Sequence, residues 1–300
     1  MQLSSGRSAD TSDREWDPAA MTNDVMNERI RFTLLQRNWR RLIALIKRAG
    51  VPFDQLKVAE VGCGTGTCSL MMALLGASVT LIDCNENVLT KTRMWFNAYG
   101  AAGNFVQADC LEQPPAALKG NYHLVMSGGL AEHFAGEDRL RCFRYHRMLL
   151  GDNGLACIGV PNRYSPFLQS VLAFRRLSGT FGISLEIPYS HEELLRVMHE
   201  AGFRHGFVSG SESIGQDMLI YSAGFVSALV DVLPLSLSAK LRSWKSRLRA
   251  SKGGDEGDPA TSDIRDECRR HMRSIDPDIR FKADYLIDHF ASGLNLFASA

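Results

Sequence analysis

Short apolar runs alternate with amphipathic segments along the first half of this 300-residue chain. The runs are rich in Val, Leu and Ile, which predicts strands buried on both faces. They fall at 57–61, 78–82, 105–108, 123–127 and 155–160. The segments between them carry helical periodicity and fall at 66–75, 86–99 and 138–150. Strands that alternate with helices of this length indicate βαβ units, so the pattern predicts a doubly wound α/β protein with a mostly parallel sheet.

Weaker patterns flank this region. A polar segment, 1–23, is expected to be loosely ordered. Residues 24–49 carry apolar side chains at three- and four-residue steps, which predicts one long helix that Gly50 and Pro52 end. We also expect Gly151 to stop the helix over 138–150. Beyond it the chain predicts two more helices, 165–177 and 190–201, and two more strands, 203–209 and 293–299.

Residues 211–284 interrupt this pattern. We therefore predict a core of 24–210 plus 285–300, with a helical insertion between the last two strands. Within the insertion, 232–254 carries six basic residues, no acid, and apolar residues on one helical face. Such a basic amphipathic helix packs on the core, lies on an anionic membrane or binds an acidic partner, and the sequence leaves these alternatives open. We expect the insertion to cap the sheet's carboxyl edge.

Composition narrows the function classes. The formal net charge is only +1, which argues against a nucleic-acid partner. The seven cysteines are scattered and include no C-x-x-C pair, so neither a disulfide framework nor a zinc site is expected. The chain shows no secretory apolar region and no uncharged apolar run of about 18 residues. We therefore expect a cytoplasmic protein, with membrane association through 232–254 as the alternative.

The most informative motif is VAEVGCGTG at 58–66, where a predicted strand leads into a glycine-rich turn that opens a helix. Glycine lets the backbone approach a ligand closely, and the free N–H groups at a helix start favour an anionic group. The dinucleotide fingerprint G-x-G-x-x-G would need glycine where Thr67 stands. The spacing thus favours a ligand without a pyrophosphate over NAD. A tight turn without any ligand is the simpler alternative.

Two carboxylates follow the next two predicted strands. Asp83 comes 19 residues after Gly64 and can accept both hydroxyls of a ribose. Asp109 can accept from an adenine amino group, while the N–H of Cys110 can donate to a ring nitrogen. Because the carboxyl ends of parallel strands meet at one edge of the sheet, these groups should lie beside the glycine turn.

As a set, the segments EVGCGTG, QADC, YHLVMSGGLAEHF, VPN and YSHEELLRVMHEAGF resemble class I methyltransferases. The resemblance spans about residues 56–209 and the final strand. It implies a seven-stranded sheet with a reversed last strand, and S-adenosylmethionine as the methyl donor. It further implies that the glycines hold the methionine part above Glu60, Asp83 the ribose, and Asp109 with Cys110 the adenine. The full set of implied donor-binding residues is Glu60, Gly62, Cys63, Gly64, Gly66, Asp83, Cys84, Asp109, Cys110 and Ser127.

Methyl transfer needs a nucleophile held in line and, for a hydroxyl acceptor, a base that removes its proton. His133, beside Glu132, is the candidate base because it follows the fourth predicted strand; the alternative is that the pair only orients a loop. Family members with a metal-linked E-x-x-E-H motif carry a glutamate where Gly129 stands here, so we predict no metal. The candidates for acceptor binding are Arg163, Tyr164 and His191.

These features predict S-adenosylmethionine-dependent methyl transfer to an oxygen or nitrogen of a small-molecule acceptor in a biosynthetic reaction. An enzyme for a lipid or membrane-associated acceptor is one alternative, suggested by the apolar run 218–230 and the basic segment 232–254. A non-catalytic binding module is another. A nucleic-acid acceptor is disfavoured, because SGGL stands where some amino-methylating enzymes carry N/D-P-P-Y/F.

Overall fold

A seven-stranded sheet runs through the centre of the structure, a computed structural model that describes residues 22–177, 186–210, 261–278, 291 and 293–300. The strands are β1 Lys57–Val61, β2 Ser78–Asp83, β3 Asn104–Gln107, β4 Tyr122–Gly128, β5 Leu150–Pro161, β6 His205–Gly210 and β7 Gly293–Ser299. Their spatial order is β3-β2-β1-β4-β5-β7-β6. The first five strands are parallel, and β7 lies antiparallel between β5 and β6. The predicted doubly wound α/β fold with a reversed last strand is confirmed.

Helices cover both faces of the sheet. They are α1 Asn23–Leu35, α2 Arg37–Arg48, α3 Thr67–Leu74, α4 Glu86–Ala98, α5 Glu137–Leu149, α6 Pro166–Leu177, α7 His191–Glu200 and α8 Thr261–Ser274. One core lies under α1–α4 and α8, and the other lies under α5 and α7. Side chains alternate between the two cores along each strand: in β4, Leu124 and Met126 enter the first core and Val125 the second. This double burial explains the unbroken apolar runs in the sequence.

The N-terminal helical region differs from the prediction. One helix over 24–49 was expected, but the chain breaks at Gln36, whose ψ of 138° is extended. In α1 the buried apolar side chains include Ile30 and Leu34, whereas Phe32 and Leu35, which the single-helix spacing placed inward, are 40% and 65% exposed. The sequence holds neither proline nor glycine at the break. Both helices bury their apolar side chains in the first core.

The start of β5 also corrects the prediction. Gly151 was expected to stop α5, but it lies inside β5, which begins directly after the helix at Leu150. Leu150 pairs with Tyr122 of β4, and regular pairing resumes at Leu155 and Leu124 after a register shift. Pairing with the neighbouring strand thus outweighs the local tendency of glycine to end a structural element. The remaining predicted elements agree with the structure to within about two residues.

The described part of the predicted insertion packs in the first core. Helix α8 lies against α1 and α3 and buries Ile264, Cys268 and Met272. The residue that follows α8 also contacts α2, because Nζ of Lys47 donates to the carbonyl oxygen of Ile275 over 2.6 Å. Residues 1–21, 211–260 and 279–284 lie outside the described residues, so the loosely ordered N-terminus, the basic helix and the cap stay predictions. No helix in the described parts of the chain is long and apolar enough to cross a membrane.

Candidate active site

A cavity of about 1390 Å³ opens at the carboxyl edge of the sheet, on the side covered by α1 and α2. Most of the predicted site residues line it. They are Glu60, Gly62, Cys63, Gly64, Asp83, Cys84, Asp109, Cys110, Ser127 and His133. The other five are not among its lining residues: Gly66, Glu132, Arg163, Tyr164 and His191. The sheet thus brings the glycine turn and the two predicted carboxylates to one place.

The glycine turn is held by close packing. Gly62 has a φ of +62°, and a Cβ there would lie 2.7 Å from Cδ1 of Leu130. Gly66 has a φ of +63° and caps α3, and a Cβ on it would lie 2.6 Å from Cγ2 of Thr92. The hydroxyl of Thr92 also donates to the carbonyl of Gly64 over 2.7 Å. Because left-handed backbone and these contacts both exclude a side chain, the spacing of the turn follows from its packing.

Glu60 lies buried beneath the turn. Its Oε2 accepts from the backbone N–H of Ser69, in the first turn of α3, over 3.1 Å. A carboxylate at a helix start is favourable because the helix dipole is positive there. Burial nevertheless dominates and raises the pKa of Glu60 to about 7, against the opposing hydrogen bonds from Ser69. Glu60 is therefore an acid that changes its charge near neutral pH.

Asp83, at the end of β2, connects the turn to the next loop. Its Oδ2 accepts from the N–H of Gly64 over 3.4 Å, and its Oδ1 accepts from the N–H of Asn85 over 3.0 Å. Burial raises the pKa of Asp83, while these backbone donors oppose the change. Asp109 follows β3 and accepts from the N–H of Leu111 over 2.9 Å. Both carboxylates are thus held by local backbone donors at the edge of the cavity.

Sequence reasoning missed a buried histidine behind the cavity. Nδ1 of His146 lies 2.8 Å from the carbonyl oxygen of Cys142, and its Nε2 lies 2.9 Å from the hydroxyl of Ser127. A carbonyl only accepts, so Nδ1 carries the proton and Nε2 accepts from the Ser127 hydroxyl. The single proton of Ser127 is then directed away from the cavity. The hydroxyl oxygen of Ser127 is left to present lone pairs to a ligand.

Acid should weaken the fold through His146. Burial lowers its pKa to about 4, from an ordinary 6.5, so the folded chain keeps the ring neutral while the unfolded chain protonates it. The resulting stabilisation is complete above about pH 6.5 and is lost as the pH falls toward about 4. We expect the difference in unfolding free energy between wild type and His146→Gln to shrink by roughly 3 kcal/mol over that interval. Urea titrations at several pH values measure it, and a constant difference would contradict the assignment.

The neighbouring residues His133 and Glu132 lie in different environments. Both lie on the 3-10 turn Ala131–His133, but His133 is exposed and lines the cavity whereas Glu132 is buried behind it. Burial raises the pKa of Glu132 to about 7, and its Oε2 has no hydrogen-bond partner. A Cβ on Gly129 would lie 3.7 Å from Oε1 of Glu132. Of the two residues, only His133 faces the cavity.

The expected absence of a metal remains a prediction. Within the described ranges, no group of three or more His, Cys, Asp and Glu side chains is arranged to hold an ion. That observation covers only part of the chain. It agrees with the reasoning from Gly129 but does not test it.

The three predicted acceptor-binding residues lie at the junction of β5 and α7. Nη2 of Arg163 donates to the carbonyl of Pro188 over 3.0 Å and to Oε2 of Glu193 over 2.9 Å. Ser190 caps α7 by accepting from the N–H of Glu193, and the carboxylate of Glu193 pairs with Arg139 and Arg163. Tyr164 is half-exposed beside this junction, and His191 is the first residue of α7. These contacts give Arg163 a structural role, and acceptor binding by the three stays an unsupported prediction.

Other lining residues had no signal in the sequence. Nine come from α1, α2 and the junction between these helices, and three come from β7. They include Arg29, Phe32, Gln36, Asn38, Trp39 and Asn295. Their place at the cavity depends on the break at Gln36 and on the insertion of β7 between β5 and β6, neither of which a local pattern reveals.

Comparisons with known proteins agree with this geometry. Residues 58–154, about a third of the chain, match the family model described as a methyltransferase domain. The ubiquinone biosynthesis O-methyltransferase of Caulobacter sp. (strain K31) is 27% identical over 143 residues, 47% of this chain and 53% of that protein. The enzyme of the same name from Cronobacter sakazakii is 37% identical over 93 residues, 31% of this chain and 37% of that protein. The chain thus spans about half or less of the length of these two relatives.

Solved structures show the same fold at low identity. A protein from Galdieria sulphuraria, assigned as a sarcosine dimethylglycine methyltransferase, superposes with a TM-score of 0.50 and 13% identity. The match covers 86% of this chain and 84% of that one. At this identity it supports the fold alone. The match at 58–154 thus shows a methyltransferase domain in that part of the chain, and the fold around it is similar to that of class I S-adenosylmethionine-dependent methyltransferases.

Proposed function

We propose that the chain transfers a methyl group from S-adenosylmethionine to an oxygen or a nitrogen of a small-molecule acceptor in a biosynthetic reaction. One observation carries the proposal. The glycine turn, Asp83 and Asp109 line the same cavity as His133 and the α1–α2 junction, so a donor half and an acceptor half are continuous. Bound S-adenosylmethionine supplies an activated methyl group on a positively charged sulfur.

The residues present fit this donor. The turn at Gly62 and Gly64 brings backbone to the cavity wall, where it would hold the methionine part above Glu60. The carboxylate of Asp83 offers oxygens to the ribose hydroxyls, and Asp109 offers oxygens to the adenine amino group. Four carboxyl groups line the cavity together with a single arginine, and this balance of charge also favours a ligand with positive charge. We propose these roles on the strength of the geometry and the family resemblance.

His133 is the proposed base. Removal of an acceptor proton needs a group that reaches the acceptor, and His133 is exposed at the cavity on the turn after β4. Glu132 is buried and takes no part in that step; we propose that it holds the turn. A histidine base suits a hydroxyl acceptor, and the matched curated relatives are named as O-methyltransferases. Oxygen is therefore the favoured site of methylation.

Transfer of tritium from methyl-labelled S-adenosylmethionine tests the proposal. The acceptor panel contains catechols, phenols and aromatic amines, and products are identified by mass. We expect a mass increase of one methyl group on at least one hydroxyl compound, with equimolar S-adenosylhomocysteine formed. Donor binding with no transfer to any member of the panel or to lipid vesicles, under conditions where a known O-methyltransferase works, would instead support the non-catalytic module.

Donor affinity should rise with pH through the ionisation of Glu60. Because burial holds its pKa near 7, part of the folded protein carries a neutral Glu60 at pH 6. A cationic donor favours the ionised form, so binding strengthens by about fivefold to tenfold between about pH 6 and pH 8. In Glu60→Gln that change should disappear. S-adenosylhomocysteine, which lacks the sulfonium charge, is the matched ligand control; equal pH dependence in wild type and variant would contradict the role of Glu60.

The lipid-acceptor alternative rests on 218–230 and 232–254, which lie outside the described residues. No observation in the described ranges favours it, and we do not propose it. The transfer assay distinguishes it as well, because a lipid acceptor would give no product with the soluble panel and would give product with vesicles.

A further inference from the structure

Two buried N–H donors beside the cavity have no acceptor. Trp39 and Asn295 both line it and are only 3% and 4% exposed. Among the residues that the structure describes, neither Nε1 of Trp39 nor Nδ2 of Asn295 has a hydrogen-bond partner. Buried donors are paired in the great majority of proteins, because an unpaired one loses its contact with water and gains nothing in return. Two such groups on one cavity call for an explanation.

The two side chains belong to elements that meet at the acceptor half of the cavity. Trp39 lies on α2, next to Asn38, whose Oδ1 accepts from the N–H of Trp39 over 2.8 Å. Nδ2 of Asn38 approaches Oδ1 of Asn295 at 3.5 Å, the long limit for a hydrogen bond. Asn295 itself pairs in register with Gly159 of β5, at the carboxyl edge. Asn38 thus contacts both residues through other atoms, the backbone N–H of Trp39 and Oδ1 of Asn295, and leaves Nε1 of Trp39 and Nδ2 of Asn295 unpaired.

The space around Asn295 depends on a small neighbour. A Cβ on Gly159 would lie 3.1 Å from Oδ1 of Asn295, which is tighter than ordinary contact. Gly159 also lines the cavity. A side chain at position 159 would therefore crowd the amide of Asn295, and glycine leaves it room.

We propose that Trp39 and Asn295 recognise the acceptor by donating to a carbonyl or carboxylate oxygen on it. This assignment rests on the proposed function and names the acceptor class for the same site. An indole N–H and an amide N–H only donate, so their partner is an oxygen with free lone pairs. Phe32, Leu42 and Leu294 also line the cavity, so the rest of the acceptor presents an apolar or aromatic body.

The opposite side of the acceptor then faces the base. Trp39 and Asn295 lie on α2 and β7, whereas His133 lies on the turn after β4. An acceptor held by its carbonyl oxygen at one end would present its hydroxyl at the other. The acceptor class is thus a hydroxylated aromatic compound that carries a carbonyl or carboxylate group.

Three probes of equal size test the pair. They are 4-hydroxyacetophenone, 4-hydroxybenzoate and 4-ethylphenol, which offer a carbonyl, a carboxylate and no acceptor oxygen at the same ring position. Binding to the protein saturated with S-adenosylhomocysteine is measured by calorimetry. We expect one or both oxygen probes to bind about tenfold more tightly than 4-ethylphenol, as two added hydrogen bonds allow. Whichever of the two oxygen probes binds more tightly shows whether the recognised oxygen of the acceptor belongs to a neutral carbonyl or to a charged carboxylate.

Trp39→Phe and Asn295→Asp should abolish that preference, the first by removing a donor and the second by replacing a donor with an oxygen. Trp95→Phe is the matched control, because Trp95 packs on the same core outside the cavity lining and should keep the preference. Equal binding of all probes to wild type, no binding of any probe, or an unchanged preference in both variants would overturn the assignment. S-adenosylhomocysteine binding is measured first; its absence would refute the proposed function instead.

Discussion

Replacing Asp83 by alanine is expected to weaken binding of S-adenosylmethionine about a hundredfold or more. Hydrogen bonds to a charged group contribute about 1.5–3 kcal/mol each, and the carboxylate is proposed to accept from two ribose hydroxyls. The side chain also accepts from the N–H groups of Gly64 and Asn85, so its loss loosens the glycine turn that holds the rest of the donor. Equilibrium dialysis with labelled donor measures the affinity.

Two further variants separate the charge of Asp83 from its shape. Asp83→Asn keeps an oxygen for only one of the two backbone donors and loses the charge, so it should bind the methyl donor with an affinity between those of wild type and Asp83→Ala. Asp152→Ala changes an exposed carboxylate in β5 and should bind like wild type. Unchanged affinity in Asp83→Ala, with a cooperative unfolding transition retained, would refute the ribose assignment.

His133→Ala should lower kcat about a hundredfold or more and leave donor affinity unchanged. General base catalysis by a positioned side chain typically contributes factors of about 10²–10⁴. His133 lies at the cavity but has no place in the proposed donor half, so the loss should fall on the chemical step. The gap between wild type and variant should narrow as the pH approaches about 10, because a phenolic acceptor then ionises without help. Single-turnover rates with a hydroxyl acceptor measure this.

His199→Ala is the matched histidine control, since His199 is exposed on α7 and lies outside the cavity lining. It should retain the wild-type rate. Glu132→Gln should also turn over, because a neutral amide can replace a carboxyl group that burial already biases toward its neutral form. A His133→Ala variant with the wild-type rate at neutral pH would show that the Glu132–His133 step only orients the turn.

The sequence predicted an element or a turn correctly where the local residue pattern and the burial in the structure agree. The glycine turn and the acids at the ends of β2 and β3 were predicted because strand, turn and helix follow one another within 30 residues. The break at Gln36 was not predicted, because the sequence holds neither proline nor glycine there. The extension of β5 back to Leu150 was missed because its partner Tyr122 lies on another strand.

The candidate site likewise contains residues that a local pattern predicts and residues whose role depends on contacts between distant elements. Asp83 and Asp109 were found because a strand end has a sequence signal. His146 was missed because a histidine in the middle of α5 has none: its role depends on the 2.9 Å contact with Ser127 across two elements. The sequence could not place Trp39 and Asn295 at one cavity, because they lie 256 positions apart and β7 is inserted between β5 and β6.

Calorimetric titration of S-adenosylhomocysteine into the wild-type protein, with NAD titrated in parallel, tests the central claim most directly. The glycine turn without a third glycine at Thr67, together with Asp83 and Asp109 on one cavity, predicts saturable binding of one S-adenosylhomocysteine per chain and no heat from NAD. Binding of NAD, or no binding of S-adenosylhomocysteine by protein that unfolds cooperatively, would contradict the assignment of this cavity as a methyl-donor site.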